Sequence, residues 1–242
     1  MSDAPLNPEL LPSLGRLARG LSALFWGLPA ALIICVSMVT AGWFKNFGVV
    51  LPLITTGLLL FGLWQLGTFQ KQERPWRAAL DRAKLLALVN CLLSPFLFWW
   101  SNLPDHPVFA FTAAVLAFSG LLFLVSLNLV ITRLGAMLPD ETLRQETRSF
   151  GALNRGLLLA IFFLAALYYL LHGTPGLLPK LDALINLRSG VPRSVWFGMI
   201  EFFNRFGVLT FVLLVLPPLS LTMALLWKTK EVILDSVFGS RR

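Results

Sequence analysis

Charge is scarce in this sequence. Only 13% of its 242 residues are Asp, Glu, Lys or Arg, while 57% are hydrophobic, against roughly 25% charged residues in an average soluble domain. A soluble chain of this size needs a charged surface that this composition does not supply. The apolar surplus, with a mean hydropathy of +0.76, is therefore expected to face lipid. These numbers exclude a disordered chain and a soluble enzyme. Cysteine is equally sparse. Cys35 and Cys91 lie in apolar runs without metal-ligand spacing, which excludes a secreted disulfide scaffold and leaves two small core hydrophobes.

Reactive groups are missing as well. No Asp, Glu, Lys, Arg or His stands near the middle of a long apolar run. Burying such a group costs several kcal/mol, so its presence marks function and its absence argues against a proton-coupled carrier, a voltage sensor or a carboxylate-based metalloenzyme. No Walker, Rossmann or Cys-x-x-Cys motif occurs, and no serine sits in a nucleophile elbow. His106 and His172 are the only histidines, and neither has the Cys or carboxylate spacing of a metal site. The chain reads as non-catalytic, with no catalytic residue, metal or cofactor expected.

What is present is length. A membrane-crossing helix needs about 20 mostly apolar residues, and six runs qualify: Ser22–Phe44, Phe47–Phe69, the shorter Leu85–Trp100, Pro107–Ile131, Leu153–Leu171 and Phe206–Trp227. The first is too long for a cleavable signal and is expected to be retained. The sequence thus predicts an all-α polytopic integral membrane protein with six transmembrane helices in three hairpins. Residues 1–21 form an amphipathic N-terminal segment, 22–227 one transmembrane domain and 228–242 a basic tail.

Lys and Arg set the orientation. With the N-terminus inside, fifteen of the 20 basic residues are cytoplasmic. Lys45, Lys180, Arg188, Arg193 and Arg205 are outside. Both termini are then cytoplasmic, and short loops suit a bacterial inner membrane. The tryptophans agree: Trp26, Trp64 and Trp227 fall near inner ends, and Trp43, Trp99 and Trp100 near outer ends, where indoles prefer the headgroup layer. The formal net charge of +8 then indicates anionic lipid headgroups rather than nucleic acid. Arg16, Arg19, Arg74, Arg77, Arg82 and Lys84 are the expected headgroup contacts.

Three basic stretches, Pro8–Arg19, Pro75–Lys84 and Pro139–Arg148, each open with proline and precede an apolar run. Proline suits a first helical turn, so each hairpin is expected to carry a basic amphipathic helix on the cytoplasmic side. Gln65-Leu66-Gly67 resembles Arg133-Leu134-Gly135, and Ala87-Leu88-Val89-Asn90 resembles Ala152-Leu153-Asn154, which hints at an internal repeat. The connection 174–205 is long. Its apolar stripes (Leu177, Leu181 and Leu184; Trp196, Ile200 and Phe203) predict two interfacial helices on the outer side.

Among polar residues inside the runs, Asn90 and Asn128 fall in one hairpin and could meet through an interhelical hydrogen bond. Pro52, Pro95 and the pair Pro217-Pro218 remove backbone donors, and a helix break is expected at the pair. Ser37–Ala41, Ala113–Ala117 and Gly156–Ala160 offer close helix approaches. Together these features predict a scaffold or accessory subunit of a membrane assembly, in contact with another membrane protein or a second copy of itself. The alternative is a small-solute or lipid transporter or channel built around a broken sixth helix.

Overall fold

The computed structural model describes residues 10–40, 44–69, 73–103, 106–137, 141–173 and 193–238, and all secondary structure among them is helical. Six helices result: α1 (Leu10–Thr40), α2 (Val50–Leu66), α3 (Arg74–Asn102), α4 (Pro107–Met137), α5 (Glu141–Gly173) and α6 (Arg193–Phe238). Five are long and apolar enough to cross a membrane. Only 22–33% of each of their most hydrophobic windows is buried within the protein. Exposed side chains such as Ile54, Phe61, Leu92, Phe111 and Phe163 need an apolar solvent, because no soluble monomer leaves so much contiguous apolar surface in water. The protein is a polytopic, all-helical membrane protein.

The second expected span is the exception. α2 has 17 residues, about 26 Å at 1.5 Å per residue, against a hydrocarbon layer of about 30 Å. Its start is cut back by a 3-10 turn at Lys45–Phe47 and by Gly48, whose φ of +55° only glycine adopts without strain. Its end is cut back by the turn at Gly67 and Thr68, where Gly67 N–H bonds the carbonyls of Leu63 and Trp64.

Elsewhere the helices are longer than the apolar runs. Pro75 stands in the first turn of α3, where its missing N–H costs nothing. The basic stretch after it then continues without interruption into the apolar run, so amphipathic helix and span are one element. α1 likewise carries Arg16 and Arg19, and α5 carries Arg144 and Arg148, in direct continuity with their spans. Pro95 does not interrupt α3. Its missing N–H leaves the Cys91 carbonyl without a helical donor, and the Ser94 hydroxyl donates to that carbonyl at 2.9 Å.

The chain divides into two compact units. The larger comprises 1–155 and 219–242 and holds α1 to α4, the first part of α5 and the last part of α6. Within it the helices neighbour one another in chain order: α1 packs on α2, α2 on α3 and α3 on α4. Asn154 of α5 bonds Asn128 of α4, Glu146 of α5 pairs with Lys228 of α6, and the ring of Trp227 lies 5.4 Å from that of Phe25 in α1. The circuit closes on itself around a core that includes Leu17, Leu24, Met38, Leu63, Leu127 and Leu134. The smaller unit, 156–218, consists of the rest of α5 and α6 with residues outside the description between them. Its α5 face is apolar and exposed at Leu157, Phe163, Leu164 and Leu167.

Close helix approaches occur at glycines that the sequence does not single out, and of the expected Ser37–Ala41 pair Ala41 lies outside the described residues. A Cβ on Gly20 would lie 2.5 Å from Leu66 Cδ1 and 2.8 Å from the Gly62 carbonyl oxygen, and one on Gly62 would lie 3.0 Å from the Gly20 carbonyl oxygen. The backbones of α1 and α2 touch there, as small residues permit. By contrast, Gly156 meets nothing within 4 Å and Ala117 is exposed.

Candidate functional site

Polar side chains inside the larger unit gather at two levels. The first lies on α2, α3 and α4. Ser119 donates to Oδ1 of Asn90, and Thr56 approaches Ser94 to 3.4 Å while donating to the Pro52 carbonyl at 2.6 Å. Asn90 and Ser94 are four apart on α3, so one stripe of that helix turns Asn90 toward α4 and Ser94 toward α2. All four residues are buried. Ser119 is the midpoint of the apolar run Pro107–Ile131, which puts this level at the centre of the apolar layer.

The second level joins α4, α5 and α6. Asn128 Nδ2 donates to the Leu124 carbonyl at 2.9 Å and to Thr222 Oγ1 at 3.1 Å. Asn154 Nδ2 donates to Asn128 Oδ1 at 3.0 Å and to Thr222 Oγ1 at 2.9 Å. Asn128, Asn154 and Thr222 are each 0% exposed, so no lipid or water competes for these bonds. Asn128 is nine residues beyond Ser119, about 13 Å along the helix. Half of a hydrocarbon layer is about 15 Å, so the trio sits near the layer's edge, on the side where Arg133, Arg155 and Lys228 stand.

Asn90 and Asn128 therefore do not meet. Each is an interhelical partner, but of different residues at different depths. Asn154 is the buried partner that the sequence reading does not single out: it is the second residue of the apolar run Leu153–Leu171, beside Arg155, at an end where a polar side chain is expected to be exposed. The one signal for it was its likeness to Asn90 in the short repeat, since both are buried and bridge helices.

At the basic rim, Arg16, Arg19, Arg74, Arg77 and Arg82 are exposed and Lys84 is half-buried. The Lys84 ammonium lies 5.7 Å from the centroid of the Trp64 ring, and Lys230 stands in the same relation to Trp227 at 5.3 Å. Both tryptophans are exposed (70% and 51%), a lysine-indole pairing suited to a headgroup layer. Trp76, fully buried at the start of α3, anchors this rim to the core. Its Nε1 has no hydrogen-bond acceptor among the described residues.

Pro217 and Pro218 lie inside α6, which continues through both instead of breaking. The division between the compact units nonetheless falls directly after Pro218, and on α5 directly after Arg155. The expected outer interfacial pair is only partly described. Residues 174–192 lie outside the described residues, and 193–205 form the first turns of α6 itself. His106 is exposed beside Phe109, and the His172 side chain lies outside the described residues. Among the described residues no group of three metal-ligating side chains occurs. No family model, curated protein or solved structure matches the chain.

Proposed function

We propose that this protein is a non-catalytic scaffold or accessory subunit of a membrane assembly. The observation that carries this reading is the use made of its buried polar groups. Asn128, Asn154 and Thr222 bond one another across three helices, and Asn90 and Ser119 do so across two. Such bonds hold a bundle in one arrangement. A large apolar periphery then remains for lipid or for another membrane protein. The distribution of Lys and Arg supports cytoplasmic termini and anionic headgroups at Arg16, Arg19, Arg74, Arg77, Arg82 and Lys84, and the short loops suit a bacterial inner membrane. The test is extraction from the native membrane in mild detergent, followed by mass measurement and proteomics. A stoichiometric partner, or a second copy, supports the reading. A lone monomer overturns it.

One observation favours a second reading, a small-solute or lipid transporter. The boundary between compact units coincides with Pro217-Pro218; although α6 is continuous there, two successive prolines withhold backbone donors from the preceding turn, and carbonyls freed in this way serve transporters as binding elements. Flux in proteoliposomes that disappears on replacing both prolines with leucine supports it; unchanged flux removes it.

A further inference from the structure

At the basic rim a hollow of about 280 Å³ is lined by Gly67, Arg77, Leu80, Asp81 and Lys84. Four of these residues recur at i, i+3, i+4 and i+7 along α3, one stripe of a helix. Gly67, at the end of α2, closes the opposite side. Leu80 is buried and forms an apolar floor, Arg77 and Asp81 are exposed, and Lys84 is half-buried. The position of Lys84 follows from Gly67, because a Cβ there would lie 2.6 Å from the lysine Nζ. The ammonium rests against bare backbone at the negative end of the α2 dipole, with the Trp64 ring beside it.

The three charges around this hollow do not neutralise one another. The described ion pair is Glu146–Lys228, and neither Arg77 nor Lys84 reaches Asp81 within 4.0 Å. For Arg77 and Asp81 the order along the helix is the unfavourable one, basic residue first. Lys84 is held toward α2 instead. Two cations and one anion thus border a cavity, level with an exposed tryptophan of the kind found among lipid headgroups.

We propose that the hollow binds the zwitterionic headgroup of an aminophospholipid, its phosphodiester between Arg77 and Lys84 and its primary ammonium on Asp81. An anionic headgroup such as phosphatidylglycerol fits less well, since it offers the Asp81 carboxylate only neutral hydroxyls where a primary ammonium offers a full positive charge. The assignment rests on the reading that this rim lies in the headgroup layer and adds to it the class of lipid.

The test is native mass spectrometry of the detergent-purified full chain. It is titrated with phosphatidylethanolamine, phosphatidylglycerol and phosphatidylcholine of equal acyl chains, and with water-soluble glycerophosphoethanolamine. Phosphatidylethanolamine should bind up to about fivefold more tightly than either other lipid, the size of one partly exposed ion pair. Asp81→Asn should abolish that preference while leaving phosphatidylglycerol bound, and the Arg77→Gln/Lys84→Gln double variant should weaken all three. Equal binding of phosphatidylethanolamine and phosphatidylglycerol, unaffected by Asp81→Asn, overturns the assignment but leaves the headgroup reading standing. Retention of no phospholipid overturns both. Glycerophosphoethanolamine binding as tightly as the lipid overturns the membrane source of the ligand. Asp81 is exposed, so its variant should retain the parent's thermal stability, which is measured alongside.

Discussion

Asn154 on α5 donates a hydrogen bond to Asn128 on α4 at 3.0 Å, and both side chains turn to the same hydroxyl, that of Thr222 on α6. Three helices that are 26 to 94 residues apart in the chain are thereby tied at one point. Replacing one member leaves the others buried without their partner, which costs more than the bond itself contributes. Asn154→Leu should lower stability by about 1–3 kcal/mol, read as a shift in unfolding by sodium dodecyl sulfate in mixed micelles. Asn102→Leu, at an exposed helix end, should change it by less than about 0.5 kcal/mol. In Asn128→Leu/Asn154→Leu the two losses should add to less than their sum, because they share one network.

The contact between α1 and α2 makes a second prediction, sensitive to single atoms. Gly20 faces the backbone oxygen of Gly62, and backbone cannot move aside as a side chain can. Gly20→Val should destabilise by about 1–3 kcal/mol through overpacking. Gly57 and Gly120 also lie within helices, but nothing stands within 4 Å of the space a Cβ would fill. Gly57→Ala and Gly120→Ala should be neutral or stabilising by up to about 1 kcal/mol, the difference in helix propensity. Thermal unfolding in detergent distinguishes the two groups. Equal effects at all three glycines would show that the α1–α2 contact is not close.

The contrast between those glycines and the Ser/Ala/Gly pairs of the sequence shows what was legible and what was not. Hydropathy alone locates the helices, because a run of about 20 apolar residues has few alternatives in lipid. The basic stretches are legible too, since Pro75 marks a first turn and Arg77, Asp81 and Lys84 repeat at helical spacing. What one-dimensional patterns do not carry is rotation about each helix axis. Gly20 and Gly156 look alike in sequence, yet one is pressed against a neighbour and the other meets open space. Asn90 and Asn128 likewise share a hairpin, and their partners depend on which faces α4, α5 and α6 present. Asn154 is illegible for a different reason: it stands at the end of its apolar run beside Arg155, where an exposed polar side chain is expected, yet it is fully buried. The 17-residue length of α2 was concealed by Phe47, Phe69 and other apolar residues that belong to turns rather than to the helix.

Glu146 and Lys228 form a third test because their pairing is partly exposed. Their side chains are 38% and 44% accessible, a setting in which an ion pair is worth about 0–1 kcal/mol and is weakened by salt. Glu146→Gln should therefore lower the unfolding temperature only slightly, and the difference from the parent should shrink as ionic strength rises. The exchange Glu146→Lys/Lys228→Glu should restore most of the loss. A large, salt-independent loss would mean that Glu146 supports the packing of α5 on α6 by something other than charge.

Orientation is the last expectation, and it rests on a distance as well as on charge. Arg82 and His106 are both exposed. They lie toward opposite ends of the α3–α4 hairpin, and continuous helix runs from Arg82 to Asn102, a rise of about 30 Å at 1.5 Å per residue. One hydrocarbon layer fits between them. In a chain whose Cys35 and Cys91 are replaced by alanine, His106→Cys should react with a membrane-impermeant maleimide in intact cells. Arg82→Cys should react only after permeabilisation. The reverse pattern would place the basic rim outside, and with it the hollow between Arg77, Asp81 and Lys84. Labelling of both positions in intact cells would mean that α3 does not cross the membrane. The 29-residue length of α3 and the exposure of Leu85, Leu88 and Leu92 along it argue against that last outcome, and the surplus of Lys and Arg on the Arg82 side argues for the first.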